Sequence, residues 1–262
     1  MELKGKVIVI TGAARGIGAA MARRFASENP AGLVLGDVDA AGVERVAAEV
    51  GGVGLECDVS AEQDTIALIE AARDRFGPID VFCANAGIAG EGGVDLPDPE
   101  WERMFGVNFR SHLYAARHLI PEWTARGEGY LVVTASAAGL LTSLGSAPYA
   151  VTKHAAIALA EWIAITHGDA GVRVSVICPQ GVNTAMLEGE GALNRLLRPE
   201  AIEPEKVADD VVEAMRHERF LVLPHPEVER YFQNKANNYD RWLGGMRKLE
   251  RQVRTWIDHV TG

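Results

Sequence analysis

The sequence has few cysteines, few aromatic residues and no long hydrophobic run. Its three cysteines, Cys57, Cys83 and Cys178, are far apart and form no Cys-x-x-Cys pair. That spacing argues against a disulfide framework and a structural zinc site, so we expect no bound metal. No apolar segment approaches the length of a membrane span, and the apolar run at residues 7–10 is too short for a signal peptide. We therefore expect a cytoplasmic protein without a membrane partner.

Basic residues are also scarce relative to acidic ones. The chain has 26 Lys and Arg against 36 Asp and Glu, which gives a formal net charge of −10. Non-specific binding to nucleic acids or anionic membranes needs a basic surface, so this balance argues against it and we expect no nucleic-acid partner. The composition is otherwise that of a globular protein, and 262 residues suffice for one large α/β domain.

Short apolar runs alternate along the chain with longer helical patterns. The predicted strands are residues 7–10, 33–35, 53–55, 79–83, 130–134, 172–178 and 220–223. The predicted helices are residues 19–28, 40–50, 61–76, 100–126, 148–169 and 204–217. Strands that are apolar throughout are typical of a parallel sheet covered by helices. The pattern predicts an α/β fold, a single Rossmann-type doubly wound parallel sheet of about seven strands with helices on both faces.

The first predicted strand runs directly into a glycine-rich turn that opens a helix. Residues 11–18 read Thr-Gly-Ala-Ala-Arg-Gly-Ile-Gly. Glycines let the backbone approach a pyrophosphate, and a helix N-terminus offers amide donors and a positive dipole end. Three glycines also suit a plain tight turn, but the strand before them and the helix after them favour nucleotide binding.

Two acidic residues follow the glycine loop at strand ends. Asp37 ends the second strand, where a carboxylate can accept both ribose hydroxyls of the adenosine half and repel a 2′-phosphate. Arg15 favours that phosphate, but position 38 is Val, so the sequence favours NAD over NADP. Asp58 ends the third strand, and two interpretations stay open for it. It can contact the adenine amino group, or it can form a turn or helix cap with Ser60.

Tyr149 and Lys153 are four residues apart in a helical pattern, so they share one face. A phenol has a pKa of about 10, and a neighbouring ammonium is expected to lower it. Ser136, just beyond the fifth strand, can hydrogen-bond a carbonyl or alkoxide oxygen. Asn108, in the preceding long helix, can hold a water that passes protons to Lys153. A Tyr-x-x-x-Lys pair alone arises often by chance, but the ordered set after a dinucleotide loop is more specific.

These motifs together resemble the short-chain dehydrogenase/reductase family, in its common shorter branch. The resemblance spans residues 5 to about 225 and is carried by the glycine loop, Asp58, the Cys-Ala-Asn-Ala-Gly segment at 83–87, Asn108, Ser136, Tyr149 with Lys153, and residues 179–184. The sequence departs from the family pattern at two positions. Ala84 stands where the family often has Asn, and Gln180 stands where it usually has Gly. The second departure puts the geometry of the nicotinamide loop in question.

The resemblance implies a role for each motif residue. Tyr149 is then the general acid in reduction and the general base in oxidation, and Lys153 lowers its pKa and binds the nicotinamide ribose. Ser136 positions the reacting oxygen, and Asn108 completes a proton relay. The cofactor-binding residues are then Gly12, Arg15, Gly16, Ile17, Gly18, Asp37, Asp58, Val59, Asn85, Ala86, Gly87, Tyr149, Lys153, Pro179, Val182 and Thr184.

The resemblance predicts an NAD-dependent interconversion of a secondary alcohol and a ketone, with assembly as a homotetramer. A non-catalytic dinucleotide-sensing regulator on the same fold is the alternative, although such proteins tend to lose the Tyr or Lys that are both present here. Residues 1–225 form the dinucleotide-binding and catalytic domain, including a substrate loop at 180–203. Predicted pocket residues are Ala138, Leu140, Leu141, Leu144, Met186, Leu187, Leu193, Leu196 and Leu197. They suggest a small, largely apolar alcohol or ketone.

Residues 226–262 form a C-terminal helical extension of the same domain. Apolar and aromatic residues recur there at helical spacing from Val228 to Trp256, and Gly244-Gly245 is expected to interrupt the helix. The segment carries seven basic and five acidic residues, so the acidic excess lies in the body. We expect the extension to pack on the body or a neighbouring subunit, near the substrate loop.

Overall fold

A parallel sheet forms the centre of the molecule. The computed structural model describes residues 1–188 and 192–261, with side chains for all of these except 192, 193 and 254–261. Within these residues seven strands form one sheet in the order β3-β2-β1-β4-β5-β6-β7. The strands are β1 (Val7–Thr11), β2 (Gly32–Asp37), β3 (Val53–Glu56), β4 (Val81–Ala84), β5 (Gly129–Thr134), β6 (Val172–Ile177) and β7 (Leu221–Val222).

Helices cover both faces of the sheet, which confirms the predicted fold. They are α1 (Gly16–Ala26), α2 (Ala40–Val50), α3 (Glu62–Phe76), α4 (Asp98–Phe105), α5 (Ser111–Arg126), α6 (Ala138–Leu141), α7 (Ala147–His167), α8 (Ala192–Leu197), α9 (Pro204–Arg216), α10 (Glu227–Asn237) and α11 (Tyr239–Thr261). Residues of α1, α2 and α9 share one apolar cluster with the sheet, and residues of α3, α5 and α7 share the other.

The strands are largely apolar because every strand except the edge strand β3 contributes residues to both clusters. Along β1, Val7 and Val9 belong to one cluster, whereas Ile8 and Ile10 belong to the other. This alternation is the two-residue period of a strand, here with a buried side chain on either face. Neither face of β1 is exposed to solvent, so its sequence does not alternate between apolar and polar residues.

The predicted helix over residues 100–126 is divided in the structure. A π-helical turn, Gly106–Arg110, separates α4 from α5. Asn108 lies in this turn, fully buried, and its side chain bonds to Ile88 on a neighbouring loop. The extra residue of a π turn re-aims the side chains around it, which helical periodicity alone does not reveal.

The strand order reverses between β1 and β4, and this places the functional cleft. β1 pairs with β2 on one side and with β4 on the other. The chain leaves these two inner strands in opposite directions across the sheet. In open α/β sheets a crevice forms outside the carboxyl ends of the strands at such a point. The glycine loop follows β1 at this edge.

The C-terminal extension packs over the same end of the sheet. α10 contacts α6, and α11 contacts α8, which lies within the predicted substrate loop. The expected interruption at Gly244-Gly245 is wrong, because α11 continues through both glycines. Asn238 caps this helix by accepting a hydrogen bond from the Arg241 amide at 2.9 Å. None of the described helices is both long and apolar enough to cross a bilayer.

Candidate active site

A cleft of about 1780 Å³ opens at the carboxyl ends of the central strands. Its walls include Gly12 after β1, Asn85 after β4, Ser136 after β5 and Pro179 after β6. The predicted site residues all line this cleft, with two exceptions that lie behind its wall: Gly18 and Asn108. The fold therefore brings together motifs that are spread over most of the chain.

The glycine loop has the backbone conformation that a close approach requires. Gly12 and Gly16 have φ of +65° and +56°, in the left-handed region that side chains disfavour. A Cβ on Gly12 would lie 2.7 Å from the Cα of Ala86, so only glycine fits between the loop and the end of β4. Gly18 serves packing instead, because a Cβ there would lie 2.1 Å from the Gly12 carbonyl oxygen.

The N-terminus of α1 faces this cleft without a side-chain cap. The helix begins at Gly16, and Arg15 at the cap position makes no capping hydrogen bond. The first amides of a helix have no intrahelical acceptor, so this end suits a bound phosphate group. The loop and helix thus fit the pyrophosphate of a dinucleotide.

Asn85 joins the ends of three strands. Its Nδ2 donates to the carbonyl oxygens of Thr11 at 2.9 Å and Gly12 at 3.2 Å, and its Oδ1 accepts from Thr134 Oγ1 at 2.9 Å. Thr11 Oγ1 in turn accepts from the backbone amides of Asn85 and Ala86. Both the amide nitrogen and the amide oxygen of Asn85 therefore bond to other residues of the protein, and these bonds hold the glycine loop in place.

Asp37 ties the end of β2 to the glycine loop. Its Oδ2 accepts from the Ala14 amide at 3.0 Å, and its Oδ1 accepts from the Asp39 amide at 3.0 Å. A carboxylate has about four acceptor positions, so the two oxygens retain capacity for ribose hydroxyls. The neighbouring Val38 is 62% exposed and offers no charge to a 2′-phosphate.

Asp58 stabilises a turn before α3. Its Oδ1 accepts from both the Ser60 amide at 2.9 Å and the Ser60 hydroxyl at 2.7 Å. Neither residue caps the helix, because the cap position of α3 is Ala61. Oδ1 of Asp58 therefore forms a turn with Ser60, as one of the two interpretations predicts. The contact of Asp58 with the adenine amino group stays a prediction.

Tyr149 and Ser136 lie side by side in the cleft. Burial raises the pKa of the Tyr149 phenol, and the neighbouring Ser136 hydroxyl offsets part of this increase. Ser136 Oγ is itself oriented by the Ala138 amide, which donates to it at 3.1 Å. The raised pKa keeps the phenol protonated at neutral pH and makes it a weaker acid than a free tyrosine side chain.

Lys153 lies behind the tyrosine ring and faces a different partner from the one expected. Its Nζ donates to the Thr134 carbonyl oxygen at 2.9 Å and lies 5.8 Å from the centroid of the Tyr149 ring. Burial lowers the Lys153 pKa to about 8. The expected lowering of the phenol pKa by this ammonium is not found, because burial of Tyr149 dominates.

Asn108 does not present its side chain to the cleft. Its Oδ1 accepts from the Ile88 amide at 2.8 Å, and its Nδ2 donates to the Ile88 carbonyl at 2.9 Å and Thr152 Oγ1 at 3.2 Å. This pair of bonds clamps the loop after β4 against the π turn. Its role in a proton relay stays a prediction.

The outer part of the cleft is largely apolar. Of the predicted pocket residues, those that line it are Ala138, Leu141, Leu144, Met186, Leu187, Leu196 and Leu197. Leu140 is wrong as a pocket residue, since it is buried in the core. Leu193 and, in the extension, Trp256 lie outside the described side chains.

The extension forms one wall of the cleft and is anchored by Lys235. The wall residues include Tyr231, Trp242 and Met246. Lys235 is 8% exposed, donates to the Leu140 carbonyl oxygen at 2.6 Å, and lies 4.9 Å from the Trp242 ring centroid. An ammonium over an aromatic face is stabilised by the ring quadrupole.

Sequence reasoning missed several of these contributors. Thr11 and Thr134 serve as hydrogen-bond partners of Asn85 and Lys153, and Lys235 anchors the extension. A lysine among aromatic residues at helical spacing was the available signal for Lys235. No local signal identifies the two threonines, whose roles depend on strand order.

A glycine loop at the sheet's switch point and a Tyr-Ser-Lys cluster in the same cleft define a nucleotide-linked oxidoreductase. The chain belongs to the short-chain dehydrogenase family, since the family model described as short chain dehydrogenase matches residues 6–193.

Proteins of known function resemble the chain over most of its length. A 1-deoxy-11-beta-hydroxypentalenate dehydrogenase from Streptomyces exfoliatus is 37% identical over 237 residues, which cover 87% of this chain and 86% of that protein. The human epidermal retinol dehydrogenase 2 is 31% identical over 234 residues, with 85% and 75% covered. Among solved structures, a short-chain dehydrogenase/reductase from Burkholderia phymatum in complex with NAD has a TM-score of 0.84 at 29% identity, with 92% of this chain and 96% of that chain covered.

We predict that Asn85→Asp weakens both the fold and nucleotide binding. The change removes two amide donors and places a carboxylate against the Thr11 and Gly12 carbonyls, which costs about 1–3 kcal/mol. Thermal unfolding and NADH fluorescence titration measure the two effects. Asn29→Asp makes the same chemical change at an exposed position and serves as the control. Equal NADH affinity in the Asn85 variant and the parent would contradict the assigned role of Asn85.

Proposed function

We propose that the protein is an NAD-dependent dehydrogenase that interconverts a secondary alcohol and a ketone, with Tyr149 as the general acid and base. The observation that carries this proposal is the pair of hydroxyls, Tyr149 and Ser136, in the cleft that the glycine loop shares. The glycine loop and Asp37 would hold a nicotinamide dinucleotide, which would supply the hydride acceptor for alcohol oxidation and the hydride donor for ketone reduction.

Side chains of the protein transfer the proton to and from the substrate oxygen. In reduction the Tyr149 hydroxyl donates its proton to the substrate oxygen as negative charge develops there, and in oxidation the phenolate takes it back. The Ser136 hydroxyl donates a hydrogen bond to the same oxygen and thereby fixes its position. Lys153, whose pKa burial lowers to about 8, keeps most of its charge at neutral pH and lies 5.8 Å from the centroid of the Tyr149 ring.

The residues present fit NAD better than NADP. The glycine loop and the uncapped start of α1 suit the pyrophosphate, and Asp37 suits the ribose diol. A 2′-phosphate would meet this carboxylate with the apolar Val38 beside it. Arg15 is the cation that opposes this preference.

The substrate is proposed to be a largely apolar alcohol or ketone. The cleft volume of about 1780 Å³ exceeds the roughly 300–1,000 Å³ of a typical single-ligand site, so it leaves room for a substrate beside a dinucleotide. Leucine and methionine side chains line the part beyond Ser136. One relative is named a hydroxypentalenate dehydrogenase and another a retinol dehydrogenase, and both names agree with a bulky alcohol.

The alternative of a non-catalytic dinucleotide sensor has less support. A sensor has no need for a proton donor next to an oriented hydroxyl, and Tyr149, Ser136 and Lys153 are all in place within one cleft. Turnover of any alcohol decides between the two functions.

We further infer that the chain assembles as a homotetramer. Helix α7 exposes Val151, Trp162 and Ile165 at 45%, 57% and 83%. Large apolar side chains on one helix are typical of a surface that another subunit covers. Sedimentation velocity at micromolar concentration should give the mass of four chains, and a monomer would overturn this inference.

We predict that Tyr149→Phe removes most turnover, with a loss of roughly 10²–10⁴-fold in kcat. The phenylalanine keeps the ring and removes only the acidic hydroxyl, so NADH binding should change little. Turnover is measured by nicotinamide absorbance with borneol, a bulky apolar secondary alcohol, and cyclohexanol.

The matched control is Tyr114→Phe, which removes a phenol hydroxyl from α5 outside the cleft. It should leave turnover at the parent level. A Tyr149 variant that retains turnover within a few-fold of the parent would refute its role as the acid and base.

We predict that Asp37→Ala combined with Val38→Arg shifts the preference toward NADP, by about tenfold or more in the ratio of kcat/KM values. The double change removes the carboxylate and adds a cation where the 2′-phosphate would lie. Val38→Arg alone keeps the carboxylate and is the control for the added cation. An unchanged ratio in the double variant would place the selectivity elsewhere, with Arg15 the next residue to test.

A further inference from the structure

Gln180 links the loop after β6 to the start of the C-terminal extension. Its Nε2 donates to Glu227 Oε1 at 2.5 Å, and its backbone amide donates to His225 Nδ1 at 3.1 Å. Glu227 is the first residue of α10. This is the position at which the sequence has Gln where glycine is usual, and glycine has no side chain to make the first bond.

His225 is suited to accept the hydrogen bond from the Gln180 backbone amide. It is 3% exposed, and burial lowers its pKa, so the ring is neutral at neutral pH. Because Nδ1 accepts a hydrogen bond, the proton of the neutral ring lies on Nε2. The Gln180 amide is thus fixed while its side chain reaches Glu227.

The first turn of α10 determines where a wall of the cleft lies. Tyr231 follows Glu227 by four residues, about one helical turn, and Asn234 follows one turn later; both line the cleft. Near its other end α10 is held by Lys235, which donates to the Leu140 carbonyl oxygen in α6. The helix is therefore attached at one end to the loop after β6 and at the other to the segment after Ser136.

We propose that Gln180 and Glu227 are positioning residues for the substrate. Their hydrogen bond fixes α10, and with it the wall formed by Tyr231 and Asn234, relative to the loop that carries Val182 and Thr184. This inference rests on the proposed function, because the KM measurement that tests it uses the proposed alcohol oxidation. It assigns to Gln180 an effect on substrate binding and not on proton transfer.

The test is a reciprocal exchange. Gln180→Glu replaces the amide donor with a second carboxyl group beside Glu227, so the hydrogen bond is lost and two like groups face each other. We expect KM for borneol to rise about tenfold, with kcat within about threefold of the parent. Adding Glu227→Gln restores one amide donor and one carboxylate acceptor, and KM should return to within about threefold of the parent value.

Two controls accompany this exchange. Glu229→Gln removes a charge from an exposed position of the same helix and should leave KM unchanged. NADH fluorescence titration should give affinities within about twofold for all variants, since the change concerns the substrate wall. An unaltered KM in Gln180→Glu, or a raised KM that the second change does not restore, would overturn the proposal. So would a loss confined to kcat.

Hydrogen exchange separates failure of this proposal from failure of the proposed function. Amides of α10 should exchange faster in Gln180→Glu than in the parent, and the double variant should return to the parent rate. If the parent turns over no alcohol, the proposed function fails, and faster exchange reversed by the second change still supports the fixing of α10. Equal exchange in all three proteins would overturn the inference, whatever the activity.

Discussion

The hydrogen bonds of one amide side chain, Asn85, hold the glycine loop in the form the cleft requires. From the β4 side, Asn85 fixes the carbonyls of Thr11 and Gly12. From the β2 side, the Gly36 carbonyl and the Asp37 carboxylate fix the amides of Ala13 and Ala14. The loop is thus bonded on both sides of the switch point, and the amides at the uncapped start of α1 are left for an anion. Substituting Asn85 is therefore expected to alter the glycine loop itself.

The substrate side is built differently, because its wall comes from the end of the chain. The sheet supplies Ser136 and the core helix α7 supplies Tyr149, whereas α10 and α11 close the opposite side. The buried Lys235 anchors this wall through a backbone carbonyl and aromatic faces. Ser136 and Tyr149 thus face a wall that comes from a different part of the chain and is attached at a few polar contacts.

The sequence predicted the sheet, and most of the residues it singled out line the one cleft, because strand burial and helical spacing are local properties. Sequence-based prediction failed where the structure depends on contacts between residues that are far apart in the chain. The helix is divided at Asn108, whose side chain bonds to Ile88, twenty residues away. The spacing of Tyr149 and Lys153 correctly places both on one face, yet the ammonium bonds the Thr134 carbonyl, which only strand packing brings there. Gln180 was recognised as unusual, but its partner Glu227 could not be identified before the extension was placed.

The uninterrupted course of α11 has a consequence for how the outer wall unfolds. Neither Gly244 nor Gly245 has a neighbour within 4 Å of where a Cβ would be, so packing does not demand glycine at either position. Each glycine weakens a helix interior by roughly 0.5–1 kcal/mol relative to alanine. The pair lies between the short start of α11, residues 239–243 next to the Lys235 anchor, and the longer part that carries Met246 and Leu249. The outer wall is therefore expected to be weakest at this junction when it unfolds.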